Sequence, residues 1–96
     1  MRIAILATAM LLGGPALAQA PAQPPLAAFA CGGCHGVGSK GTDPVPALAG
    51  RPQAEIVEAM KAFRANERPG TIMGRIARGY SDDEIAAIAA TLSSWR

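Results

Sequence analysis

The chain has 96 residues, 50% of them hydrophobic, and a net charge of +2 from 9 basic and 7 acidic side chains. That length holds one domain, and so small a charge excess excludes the strongly basic face that nucleic-acid binding requires. Two cysteines and one histidine are too few for a four-ligand structural zinc site.

Residues 1 to 18 read as a signal peptide. Arg2 gives a positive start, Ile3 to Leu12 an apolar run, and Gly13-Gly14-Pro15 a break before the small-x-small pattern of Ala16-Leu17-Ala18. Cleavage after Ala18 makes Gln19 the mature start; Ala20 also fits, but it would leave Pro21 beside the cut. The apolar run falls short of the ~18 residues that a membrane span needs, so no stable insertion is expected after cleavage. The expected compartment is the periplasm. No Arg-Arg pair precedes the apolar run, so the chain is expected to cross the membrane unfolded and to receive any cofactor afterwards.

Residues 19 to 25, rich in Ala, Gln and Pro, form an extended tail. The remaining residues, 26 to 96, make one domain of the all-α class. Its first helix is expected over Leu26 to Cys31, where Ala27, Ala28 and Ala30 are good helix formers and Phe29 is the bulky residue. Directly after it comes Cys31-Gly32-Gly33-Cys34-His35.

That spacing carries chemistry. Two thiols separated by two residues can each add to one of the neighbouring vinyl groups of a porphyrin edge, and the next side chain is then carried to the iron. Cys-x-x-Cys-His is accordingly read as covalent haem attachment through Cys31 and Cys34, with His35 as an axial ligand. Gly32 and Gly33 are expected to let the backbone turn tightly over the ring. A thioredoxin-like dithiol usually sits beside a βαβ pattern, and no strand is predicted here. A structural disulfide across two residues would constrain almost nothing. The motif occurs once, so one haem c is expected. Once the signal peptide is gone, the chain falls just below the ~80 residues under which side-chain burial alone rarely suffices, and a buried porphyrin supplies the missing apolar mass.

Residues 36 to 50, rich in glycine and containing Pro44 and Pro46, are predicted to be loop. A second helix is expected from near Arg51, with Pro52 at the first helical position and Ile56, Val57, Met60 and Phe63 on one face. Pro69-Gly70 closes the stretch after it. In the last helix, Ser81-Asp82-Asp83-Glu84 forms a capping box, and Ile85, Ile88, Leu92 and Trp95 recur at helical spacing.

Haem iron has two axial positions. Of the two methionines left after cleavage, Met60 lies on the apolar face of the second helix and reads as core. Met73 follows the Pro-Gly turn, where a loop can direct its thioether at the metal. A His35/Met73 pair raises the reduction potential and leaves no open position for substrate, so the expected role is electron transfer.

With Cys31 to His35, Pro46-Ala47-Leu48-Ala49-Gly50, Met73 and the capped last helix in place, residues 26 to 96 resemble class I cytochrome c. The resemblance implies that the Pro46 carbonyl accepts the Nδ1 proton of His35 and fixes its tautomer. The run Arg68 to Ser81 is similar to the cytochrome subunit of flavocytochrome c sulfide dehydrogenases, which implies a sulfide-oxidising flavoprotein as the electron donor. Several of those relatives carry two haem domains. Where such cytochromes often have an aromatic residue, this chain has Thr91, and Trp95 is expected to take over the contact with Phe29. The partner is expected to dock around Val37, Ile72, Gly74, Arg75 and Arg78. The rival readings are a free-standing shuttle that donates to a terminal oxidase or other reductase, and a haem sensor or enzyme with a displaceable Met73.

Overall fold

The computed structural model describes Gly13, Gly14 and residues 25–96. The proposed signal segment apart from Gly13 and Gly14, and the extended tail apart from Pro25, therefore lie outside the described residues. Among the described residues there is no strand, only an isolated antiparallel bridge between Thr42 and Val45. No described helix is long and apolar enough to cross a membrane.

The described residues form five helices in chain order: α1 Leu26–Ala30, α2 Gly32–His35, α3 Gln53–Arg64, α4 Met73–Ala77 and α5 Asp82–Ser94. Helices α1 and α2 run on through Cys31, whose backbone is itself helical at φ −57° and ψ −32°. The expected tight turn at Gly32 and Gly33 is thus an ordinary helical one. His35 N–H donates to the Cys31 carbonyl at 3.0 Å, one helical turn back. A short 3₁₀ turn, Val37–Ser39, follows.

Pro52 stands one place earlier than expected, at the cap of α3 with ψ 133°, and the helix begins at Gln53. Its carbonyl accepts from Glu55 and Ile56 at 3.1 and 3.3 Å, and at the cap a missing N–H removes no intrahelical bond. A second correction concerns Met73. It opens helix α4 rather than sitting in a loop. Five residues are too few for an apolar period to show in sequence.

The core is formed by Ile56 and Met60 of α3, Ala28 of α1, Ala77 of α4, and Ile85, Ile88, Ala89 and Leu92 of α5. Helix α3 packs on both α4 and α5, and α1 packs on α5. The buried positions of α5 follow the three- and four-residue spacing that the sequence shows. Its start is the capping box: Glu84 N–H donates to Ser81 Oγ at 3.2 Å, and Ser81 N–H donates to Glu84 Oε1 at 3.1 Å. Arg64, at the end of α3, ties this start down. It donates to the Tyr80 carbonyl at 3.2 Å and forms an ion pair with Asp82. At the other end of α5, the rings of Phe29 and Trp95 lie 5.2 Å apart at 51°, the contact expected of Trp95.

Candidate functional site

Helices α2, α3 and α4, the loop before α3 and the apolar face of α5 enclose a cavity of about 730 Å³. That volume lies in the range of small-molecule and cofactor sites, ~300–1,000 Å³. Its walls are mostly hydrophobic, with Ile56, Ala59, Met60 and Phe63 from α3 and Ile88 and Leu92 from α5. The α3 residues share a wall because they recur every three to four positions along the helix.

Cys31, Cys34 and His35 all line this cavity. The two cysteines are not joined in a disulfide; Cys31 is half-buried and Cys34 exposed. Cys31 Sγ donates to the Ala27 carbonyl at 3.4 Å. Burial pushes its thiol above the ordinary range, against a smaller opposing pull from a backbone hydrogen bond.

His35 is buried, and its Nδ1 lies 2.6 Å from the Pro46 carbonyl oxygen. A carbonyl only accepts, so Nδ1 carries the proton, which leaves Nε2 as the nitrogen available to a metal. An imidazole held in that tautomer is ready to bind a metal.

The loop that brings Pro46 to His35 is fixed from several sides. Gly41 N–H donates to the His35 carbonyl at 2.7 Å. Gly41 adopts φ +89°, and a Cβ there would fall 2.8 Å from Ala47 N, so the approach needs glycine on both counts. The Ser39 carbonyl accepts from Leu48 and Ala49 at 2.8 and 3.0 Å. Arg51 Nε donates to the Ala47 carbonyl at 2.5 Å while its Nη1 pairs with Glu55 Oε1 at 2.9 Å. Gly41, Ser39 and Arg51 were not expected as site-building residues. Only the glycine clustering around Pro46 hints at them in sequence.

Two methionines face the cavity. Met60 is 8% exposed and belongs to the core, as its helical spacing indicates. Met73 is half-buried at the start of α4, packed against that core. The donor set suits haem c: two cysteines not joined in a disulfide, an imidazole of fixed tautomer and an accessible thioether share one apolar cavity. Among the described residues, no group of three or more His, Cys, Asp or Glu side chains offers a rival metal site.

Residues 25–95 match the cytochrome c family. The chain belongs to that family. It is a mono-haem cytochrome c domain of the class I fold, and haem c, held covalently, is its cofactor. The cytochrome subunit of sulfide dehydrogenase from Chlorobaculum tepidum is 36% identical over 61 residues, 64% of this chain and 56% of that protein. Cytochrome c-554(548) of Halomonas halodenitrificans is 38% identical over 68 residues, covering 67% of this chain and 82% of that one. The solved structure of Acidithiobacillus ferrooxidans cytochrome c4 superposes with a TM-score of 0.65 at 35% identity. It covers 68% of this chain, which in turn spans 38% of that longer protein.

Around the cytochrome's cavity, the expected docking residues divide. Val37 and Ile72 are large apolar residues that stay 94% and 54% exposed, and Ile72 also lines the cavity. Arg75 and Arg78 are exposed, and among the described residues neither has a carboxylate partner. Gly74 is half-buried instead, where a Cβ would lie 3.5 Å from the Phe63 carbonyl oxygen.

Proposed function

We propose that this cytochrome is the electron-accepting partner of a sulfide-oxidising flavoprotein in the periplasm, working there after residues 1 to 18 are removed. The observation that carries this reading is the 36% identity to the Chlorobaculum tepidum cytochrome subunit of sulfide dehydrogenase. In this reading Cys31 and Cys34 attach the haem, His35 and Met73 ligate its iron, and Pro46 holds the His35 tautomer. Haem c supplies an iron that takes up and releases one electron at a time.

The chain's own residues fix how that carrier is held and approached. His35 is kept in the metal-binding tautomer by a 2.6 Å hydrogen bond. The apolar walls from α3 and α5 would shield the haem from water and lower the local dielectric. Exposed Val37 and Ile72 offer apolar contact beside the cavity, and Arg75 and Arg78 add positive charge. Oxidation of sulfide to sulfur releases two electrons, so each sulfide requires two cytochrome oxidations downstream.

A second reading is a free-standing shuttle that donates to a terminal oxidase or other reductase. The 38% identity to the Halomonas halodenitrificans cytochrome c-554(548), a protein named only as a cytochrome, supports this reading. Rapid mixing of sulfide with the cytochrome and its cognate flavoprotein separates the two. The partner reading expects the haem to be reduced only when the flavoprotein is present. No reduction by sulfide in the reconstituted pair overturns it and leaves the shuttle.

A further inference from the structure

We propose that Arg68, Phe63 and Gly70 form a latch that holds Met73 at the cavity and thereby sets how readily an outside ligand displaces it. The inference rests on the reading of Met73 as the axial ligand. It assigns to three other side-chain positions the control of that ligand's detachment.

The segment between α3 and α4 has no regular structure of its own and folds back over the last turn of α3. Its contacts converge on Phe63. The Arg68 guanidinium carbon lies 5.0 Å from the centre of the Phe63 ring, within cation–π range. Two residues on, a Cβ at Gly70 would stand 2.9 Å from Phe63 Cε1 and 3.4 Å from Cδ1. The backbone at Gly70 therefore rests directly on the ring, and any side chain there would pry the two apart. The same Cβ would lie 3.7 Å from Met73 Cβ, so Gly70 stands beside the methionine as well as the ring. Beyond Met73, Gly74 packs toward the Phe63 carbonyl.

Phe63 is thus gripped from both sides of Met73. The ring is anchored in turn, since it packs against the core formed by α3 and α5. Phe63, Arg68 and Met73 all line the cavity. For Met73 to swing away, the segment must slide off the ring, and the Arg68 contact must break with it. Arg68 has no carboxylate partner among the described residues, so the ring is the interaction that fixes its head group.

The test is imidazole binding to the ferric holoprotein, read from its absorbance spectrum. Arg68→Gln should tighten imidazole binding by roughly two- to fivefold, the size of an exposed cation–π contact. Arg68→Lys keeps a cation over the ring and should restore most of the wild-type affinity. Gly70→Ala should tighten binding more than Arg68→Gln and weaken the far-red thioether-to-iron band. On a Phe63→Leu background, Arg68→Gln should have no further effect, because the ring it acts through is gone. Unchanged imidazole affinity in Arg68→Gln overturns the latch. So does a full-sized Arg68→Gln effect in the Phe63→Leu protein, which would place Arg68 on the haem carboxylates instead. Arg68 is exposed, so its variants retain the fold. Met73→Ala separates the two layers: if it leaves the far-red band intact, the ligand assignment itself fails. If Met73→Ala removes the band while Arg68→Gln changes nothing, the latch alone fails.

Discussion

At position 41 the absence of a side chain decides where Pro46 sits, and Pro46 decides which nitrogen of His35 is free. Gly41→Ala forces a Cβ to within 2.8 Å of Ala47 N at φ +89°, where L residues are strained. Strain of this kind costs ~1–3 kcal/mol. The loop can relieve it only by moving away, which lengthens the 2.6 Å bond from His35 Nδ1 to the Pro46 carbonyl. A weaker acceptor makes the imidazole less basic and a poorer donor to ferric iron. The variant should therefore melt lower and show a raised reduction potential. A native potential in Gly41→Ala would mean that Pro46 holds its place without the glycine. The two methionines should part equally clearly. Met60→Leu, a swap of similar volume in the core, should cost less than ~1.5 kcal/mol and keep the far-red band. Met73→Ala should remove the band and lower the potential. Loss of the band in Met60→Leu alone would reverse the assignment.

Among the elements, α5 was legible to its cap because its signals agree. Ser81 and Glu84 stand three apart, and Ile85, Ile88 and Leu92 keep helical spacing and are all buried. Ser81→Ala should cost ~1 kcal/mol at neutral pH, measured by thermal melting, with the haem spectrum unchanged. The same cap makes an acid-dependent contribution. The Ser81 N–H, and secondarily its hydroxyl, holds the Glu84 carboxyl below its ordinary range, and Arg64 does the same for Asp82. A carboxyl whose folded value is depressed stabilises the fold above its unfolded pKa, near 4, and that contribution is lost as pH falls through the folded value. Both groups are exposed, so added salt should weaken the effect. Alanine at 81 keeps the backbone N–H, the larger of the two causes for Glu84. Ser81→Ala should consequently retain most of the Glu84 acid dependence, whereas Glu84→Gln should lose it. Equal acid profiles for the two variants would contradict that order of causes. Elsewhere the elements were less legible. Helix α4 is too short for a period to show, and Pro52 suits both the cap and the first helical position, since its φ of −53° fits either. The loop of residues 36–50 was visible as a loop, but its shape depends on hydrogen bonds between Ser39 and residues nine and ten positions away. No local pattern encodes that pairing. The Cys31–His35 motif needed no such help, because its chemistry is carried by spacing alone.

For the whole molecule, the question is which face a partner meets. The charges in the described part are unevenly used: Arg51 and Arg64 are paired with Glu55 and Asp82, whereas Arg75 and Arg78 have no carboxylate partner, and Ile72, just before α4, is exposed. Paired charges contribute little field at a distance, while free ones steer an approaching surface. An acidic partner would therefore meet the α4 side of the cavity first, and Ile72 would supply apolar contact once it docks. Reversing both charges, Arg75→Glu with Arg78→Glu, should slow association with the flavoprotein and weaken its dependence on ionic strength, because rim charges act mainly on the rate of encounter. The haem spectrum and potential should stay near native, since neither arginine lines the cavity. Ile72→Ser should instead act on the lifetime of the complex, because it removes contact and leaves the charge alone. Flavin-to-haem transfer measured by rapid mixing at several salt concentrations distinguishes these effects. If the double charge reversal left association and its salt dependence unchanged, the partner would have to dock elsewhere, and the free arginines at α4 would have no part in electron entry.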